Sequence, residues 1–302
     1  MLILVLNAPL LAGDCPVLPT IILPAMTATP ATYLLLRDRV EAIRLESQHL
    51  LWQLHTGYLL HPDIPLQDGM AIADIGAGTG LWATEVASQL PPNARVSAFD
   101  IADTHFPPKE YWPANVSFDQ LDSMSDVPSS LIGQFDVVHL RMWAFIIRDN
   151  DPSPLIRHAA KLLKPGGYLQ WEDARFGSTV VHGKAAQQMR TFMSSMTAIS
   201  KHNFQWLDNL DQHVSRAEAS LNIIDCQYKE WAPRLIPHCM DTFLVALENS
   251  GAVLDRMKQI APSVPSQEEW INALATLHGE IRGPEGGKLY WLPVTLLARK
   301  VE

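Results

Sequence analysis

The stretch Asp74-Ile-Gly-Ala-Gly-Thr-Gly80 constrains this chain more than any other. It follows an apolar run, Ala71-Ile-Ala-Asp74, that reads as a buried strand, and it opens a helical pattern from Trp82 to Leu90. Glycines at 76, 78 and 80 let the backbone turn tightly and approach a ligand with no Cβ in the way. A helix starting there offers unpaired N–H groups and the positive end of its dipole to a carboxylate or phosphate. Glycine-rich turns also serve structural ends, and it is the strand-to-helix position that favours binding. A dinucleotide fingerprint needs its third glycine one place later, where this chain has Leu81.

The segments that follow keep the same rhythm. Arg95–Asp100 reads as a second strand, Val116–Asp119 as a short third and Phe135–Leu140 as a fourth. A helix over Pro154–Leu163 and a strand over Gly167–Trp171 continue the alternation. Apolar strands alternating with helices predict an α/β fold, a doubly wound Rossmann-like sheet covered on both faces. Beyond residue 180 the reading is mostly helical, over 183–200, 208–220, 240–260 and 267–281. Asn222–Trp231 and Lys288–Lys300 read as strands, with Pro293 placing the last one near an edge or a bulge. Ahead of the core, Leu35, Val40, Ile43, Leu50, Leu51, Leu54 and Leu59 recur at helical spacing, which predicts helix packed by those side chains on the domain edge. Pro62 and Pro65 end that segment.

Composition removes several functions. The formal net charge is -9, and no basic run interleaved with aromatics occurs, so nucleic acid is a poor partner. The histidines lack a paired spacing such as HxxxH, which argues against a metal site. Cys15, Cys226 and Cys239 stand outside any metal spacing and fit unpaired thiols in a reducing, cytoplasmic setting; a Cys226–Cys239 disulfide is the alternative. Met1 to Gly13 is apolar, but the first arginine is Arg37, so the basic start of a signal peptide is missing. The run is also too short to span a bilayer. Residues 1–30 are therefore expected to be a loosely structured or misassigned extension. Residues 31–302 form one domain: a helical segment over 31–66, the glycine-loop core over 67–180, and helices with the last strands over 181–302.

Over residues 70–175 the motifs, in their order and spacing, resemble class I methyltransferases, which hold S-adenosylmethionine. The GxGxG spacing behind Asp74 resembles their first motif. Asp100 ends the second strand, Asp122 lies just past the third in Phe118-Asp-Gln-Leu-Asp122-Ser-Met, and Leu162-Leu-Lys-Pro-Gly-Gly167 resembles the turn that feeds their fifth strand. A finer resemblance is to fungal secondary-metabolism methyltransferases. It is carried by Tyr58-Leu-Leu-His-Pro-Asp-Ile-Pro65, Phe99-Asp-Ile-Ala102, Phe106-Pro-Pro108, Val138-His-Leu-Arg141 and Gly166-Gly-Tyr-Leu-Gln-Trp-Glu172.

The resemblance implies cofactor contacts at Asp74, Gly76, Gly78, Gly80, Asp100, Ile101, Asp122, Ser123 and His139, with Tyr58 either reaching over the cofactor from the amino-terminal helix or packing at the domain edge. Asp100 would bind the ribose diol, and Asp122 the adenine amino group. It also implies an antiparallel last strand. His139 and Glu172 are the candidate general bases, and Arg141 the anchor for an anionic substrate. His139 has a second reading as a hydrogen-bonded core histidine, and Glu172 with Asp173 a second reading as solvated or capping acids. Met189, Phe192, Met193, Met196, Phe243, Leu244 and Leu247 either line an apolar substrate cavity or are plain core. The implied activity is methyl transfer, O-methylation first, to an apolar or aromatic small natural product. A non-methylating cyclisation, pericyclic rearrangement or dehydration is the alternative, and a non-enzymatic regulator the second. Neither membrane nor nucleic acid is an expected partner, and self-association is left open.

Overall fold

A computed structural model describes residues 37–251, 254–284 and 286–301. The extension expected over 1–30, and Cys15 within it, lie outside the described residues. The described residues form one compact unit.

The core strands are β1 (Ala71–Ile75), β2 (Arg95–Asp100), β3 (Val116–Gln120), β4 (Phe135–Arg141), β5 (Leu163–His182), β6 (Leu221–Tyr228) and β7 (Lys288–Lys300). They form one sheet in the order β3-β2-β1-β4-β5-β7-β6. The first five strands pair in parallel, and β7 runs antiparallel to both β5 and β6. This is the doubly wound sheet with an antiparallel last strand. Strand β1 is buried along its whole length, as a parallel strand covered on both faces must be.

Alternate residues of each strand enter opposite cores. Ile72, Val137 and Leu297 pack with Trp82, Ala83 and Val86 of α2 (Leu81–Ala87). Ala71, Ala73, Val138, Leu140 and Trp171 pack against α3 (Ser153–Leu162) and the later helices. Those helices are α4 (Lys184–Ile199), α5 (Leu210–Arg216), α6 (Ile236–Ser250), α7 (Leu254–Ile260) and α8 (Gln267–Arg282). The helix expected over 240–260 is thus two, and that over 208–220 is shorter, preceded by a 3-10 turn over Gln205–Asn209. Strand β5 runs well past the expected Trp171 because β7 pairs with it as far as His182. Pro293 pairs with Ala174 of β5 at a point where β6 has already ended, so its missing N–H leaves no ladder partner unmet.

The expectation for the amino-terminal apolar positions is met at Leu51 and Leu59, which are buried, and reversed at four others, while Leu35 lies outside the described residues. Helix α1 (Arg39–Thr56) starts at Asp38, whose side chain accepts from Glu41 N at 2.9 Å, and ends at Gly57 in the left-handed region. Its apolar stripe faces out: Val40, Ile43, Leu50 and Leu54 are each more than half exposed. The buried face carries Glu41, Arg44, Gln48 and His49, along with Leu51 and Trp52. That face meets the carboxyl ends of the strands, where polar groups collect. Among the described residues no helix is long and apolar enough to cross a membrane.

Candidate functional site

The glycine loop leaves β1 in a chain of left-handed residues, with φ of 74° at Gly76, 57° at Gly78 and 72° at Gly80. The three glycines serve different ends. A Cβ on Gly80 would lie 2.1 Å from Phe118 Cε1, and one on Gly76 would lie 2.9 Å from Trp143 Cζ2. At Gly78 the nearest atom is Leu45 Cδ1 of α1, at 3.4 Å. Gly76 and Gly80 are therefore demanded by packing as well as conformation, Gly78 by conformation alone.

Strand β2 holds the loop. Gly76 N and Ala77 N both donate to Phe99 O, at 2.8 and 2.9 Å. Asp100 Oδ2 accepts from Gly78 N at 2.9 Å, and its Oδ1 accepts from Ala102 N at 3.1 Å. Ile101 beside it is exposed. Asp122 closes an Asx turn, accepting from Met124 N at 2.9 Å and Ser125 Oγ at 2.7 Å, while Ser123 is buried.

Asp74 and His139 sit side by side on β1 and β4, and His139 Nδ1 lies 2.7 Å from Asp74 Oδ1. The Trp82 ring stacks on the imidazole at 3.7 Å, and His139 Nε2 is 3.5 Å from Glu172 Oε2. Arg141 Nε donates to that same oxygen at 2.6 Å, its Nη2 pairs with it as well, and Gln170 Nε2 donates to Glu172 Oε1 at 2.8 Å. Arg141 Nη1 in turn donates to His49 Nδ1 at 3.0 Å, and His49 Nε2 meets Glu85 Oε2 at 2.8 Å. A continuous polar chain thus ties α1 and α2 to three strands.

The charges follow from this packing. Burial alone would push the Glu172 carboxyl up, but Arg141 and His139 together overcome it and hold it at about 2. Burial, then Arg141, lowers His49, in keeping with a neutral ring that accepts from the guanidinium. The neighbouring Asp173 points to the other core. Burial raises it to about 6, although Trp143 N, Trp171 Nε1 and Ala174 N all donate to it at 2.8 to 3.0 Å. It pins the turn after β4, whose Trp143 Nε1 also donates to Ile75 O at 3.2 Å. The second readings of Glu172 and Asp173 as solvated acids are corrected here, since both are fully buried.

Tyr58 carried two readings, over the cofactor or packed at the domain edge, and it lies just past the end of α1. The left-handed turn at Gly57 swings it back beside His61, with ring centroids 5.2 Å apart, and its hydroxyl bonds to Thr295 of β7. Burial, Glu172 and Asp225 push the phenol well above its ordinary range.

Next to the loop lies a cavity, open in part to solvent, walled by α1, the turn after β4, α4 and α6. Met193, Met196, Phe243 and Leu247 line it, as one of their two readings expected. Met189 and Leu244 are core, and Phe192 packs against Trp270. Leu45, Gln48, Phe145, Phe176, Trp270 and Trp291 line it without having been singled out from sequence. Their one legible signal is the spacing of Arg44, Leu45 and Gln48 on a single helix face. Leu45 belongs to both the cavity and the loop. His139, Glu172 and Arg141 are not among the lining residues.

The loop suits the cofactor that the resemblance implies. A carboxylate has about four acceptor positions, and Asp100 spends two on backbone N–H groups, which leaves capacity for a ribose diol. Asp74 Oδ2 is buried with no hydrogen-bond partner among the described residues, an acceptor suited to an amino-acid ammonium group. Gly78 presents bare backbone at the point where loop and cavity meet.

Comparison with known proteins agrees. Residues 56–217 match a family model described as a methyltransferase domain. The chain is 32% identical over 141 residues to the methyltransferase grgD of a Penicillium species, covering 44% of this chain and 49% of that protein. It is 30% identical over 154 residues to the N-methyltransferase verN of Clonostachys rogersoniana, covering 49% and 52%. A Haemonchus contortus phosphoethanolamine N-methyltransferase 2, solved in complex with S-adenosyl-L-methionine, overlays with a TM-score of 0.47 at 17% identity, covering 85% of this chain and 53% of that one. The chain spans about half the length of the curated relatives it matches. With more than half of its own residues matched to the family model, the chain belongs to the methyltransferase domain family.

Proposed function

We propose that this protein transfers a methyl group from S-adenosylmethionine to an apolar small molecule of secondary metabolism. The observation that carries the reading is the junction at Leu45, where an apolar cavity meets the open face of the glycine loop. The cofactor supplies an electrophilic methyl group on a sulfonium. Gly76, Gly78, Gly80 and Asp100 hold it, with Ile101, Asp122 and Ser123 along the nucleoside side. The cavity excludes water and sets a nucleophile in line, which is most of what a displacement of this kind asks of a protein.

Among the described lining residues there is no His, Asp, Glu, Lys, Cys or Tyr. The nucleophile therefore reacts without a proton being taken by the wall. An oxygen that is already ionised, as in a carboxylic acid or an acidic phenol, meets that condition. So does a nitrogen lone pair, the atom that the name of the verN relative specifies. Glu172, His139 and Arg141 act at one remove, as positioning residues that fix α1 and the strand ends around the site.

The test is incubation with methyl-labelled S-adenosylmethionine and extracts of fungal cultures. The expected result is label in an apolar product, with one S-adenosylhomocysteine released per transfer. Product formed with no S-adenosylhomocysteine would overturn the reading in favour of a non-methylating reaction.

A further inference from the structure

One polar group in the cavity has no task in the fold. Thr197, Thr242 and Ser250 line the wall, but their hydroxyls already donate to helix carbonyls at Met193, Cys239 and Leu247, at 3.1, 3.0 and 2.8 Å. Arg44 is engaged with Glu41, Nε to Oε2 at 2.8 Å and Nη2 to Oε1 at 2.7 Å. Gln48 differs from all of these. Its side chain is 5% exposed and lines the cavity, and among the described residues it makes no side-chain hydrogen bond. The amide is not sealed in the core, and its nitrogen and oxygen keep access to the open space beside them. Facing a ligand cavity, it has an evident use.

Its position narrows that use. Gln48 follows Leu45 by three residues, so the two side chains are neighbours on one face of α1, about 5–6 Å apart at Cβ. Leu45 lies against the glycine loop. The opposite walls are aromatic, with Phe145, Phe176, Trp270 and Trp291. The one charged residue of the described wall is already ion-paired. We infer that Gln48 is the specificity-determining residue for a neutral, planar aromatic substrate that presents an adjacent acceptor and donor, an amide-like edge. The inference rests on the methyl-transfer reading for what happens to that molecule, and on the cavity alone for its binding. A primary amide can both donate to and accept from such an edge, which fixes the plane of the ring between the aromatic walls. Apolar contact with Trp270 and Phe243 supplies affinity, and Gln48 supplies orientation toward the loop.

The experiment compares two flat bicyclic probes of one size, 2-quinolone with its N–H and C=O edge and naphthalene with none. Binding to the full chain saturated with S-adenosylhomocysteine is followed by quenching of tryptophan fluorescence. Gln48→Met keeps the length of the side chain and removes its hydrogen bonds. The expected result is a loss of about 5- to 150-fold for 2-quinolone, the range for two neutral hydrogen bonds, with naphthalene unchanged. Gln48→Glu, which cannot donate, should also weaken 2-quinolone and serves if the methionine variant does not fold. Equal losses for both probes, no loss for either, or no binding of 2-quinolone to the native protein would overturn the inference. Failure of S-adenosylhomocysteine to bind, with the probe difference intact, would instead strike the methyl-transfer reading and leave Gln48 standing.

Discussion

Replacing Glu172 by Gln should cost stability before it costs chemistry. The carboxylate is fully buried, takes two guanidinium nitrogens of Arg141 and one amide donor from Gln170, and is held at about 2 against an ordinary 4.5. That difference amounts to about 3 kcal/mol of preference for the charged form in the folded state. The amide leaves Arg141 without its counter-charge, and breaking one side of a buried pair costs about 3–5 kcal/mol. In a domain of this size each kcal/mol moves the melting temperature by about 2–4 °C, so Glu172→Gln should melt about 6–20 °C lower at pH 7. The pH dependence has a definite sign. A carboxyl depressed on folding stabilises above its unfolded value, and that stability drains away as pH falls through the folded one. The gap between native protein and variant should therefore be constant above pH 5 and narrow from pH 4.5 toward pH 2. Thermal unfolding followed by circular dichroism across that range measures it. A variant that melts with the native protein at pH 7 yet no longer turns over would refute the positioning role and return Glu172 to the rank of general base.

Three further outcomes follow from the site. Asp100→Ala removes the ribose acceptor and the anchor of Gly78 N, so affinity for S-adenosylhomocysteine should fall by about 10- to 150-fold in calorimetry, the range for a charged hydrogen bond. Gly80→Ala places a Cβ 2.1 Å from Phe118, whereas Gly78→Ala meets only Leu45 at 3.4 Å; melting curves should show Gly80→Ala much the more damaging, with Gly78→Ala costing about 1–2 kcal/mol for its left-handed backbone. Asp173 is raised from 3.8 to about 6, so the folded state keeps a proton the unfolded state has lost and stability falls by about 3 kcal/mol as pH rises from 4 to 6. Urea titrations of Asp173→Asn should lack that slope, and an unchanged slope would place its origin elsewhere.

The sheet was legible because its signals are local. Strand β1 is a run of apolar residues, and the glycine loop needs left-handed backbone at three places where almost no other residue sits comfortably. Asp100 was legible as a carboxylate at the end of the second strand, read there as a ribose ligand, whereas its bond to Gly78 N was not. His139 carried two readings, and what separates them is non-local: Asp74 at its side, Trp82 on its face and Glu172 beyond, from three other elements. The cavity was half legible. Methionines and phenylalanines on α4 and α6 advertise an apolar face, but Trp270 and Trp291 reach the same space from more than a hundred residues beyond the turn at Phe145.

Helix α1 shows where periodicity misleads, and why. A 3.6-residue pattern reveals that a helix has two faces, and the usual inference sends the apolar one inward. Here the inward face sends Leu51 and Trp52 into the core but its other residues to the polar carboxyl ends of the strands. Glu41 and Arg44 can be buried because they satisfy each other one turn apart, and His49 because Arg141 and Glu85 hold both of its nitrogens. Each of these polar groups is spent on the fold, which leaves the helix rigid where it crosses the glycine loop. Gln48 sits among them with its amide unspent. The opposite wall, of methionine and aromatic side chains, is the kind that repacks around ligands of different outline. Divergence among proteins of this kind then has a natural place. The polar chain from Asp74 to Glu85 must be kept whole, since each member leaves a buried partner stranded if lost, while Gln48 can vary at small cost to the fold and large effect on what is bound.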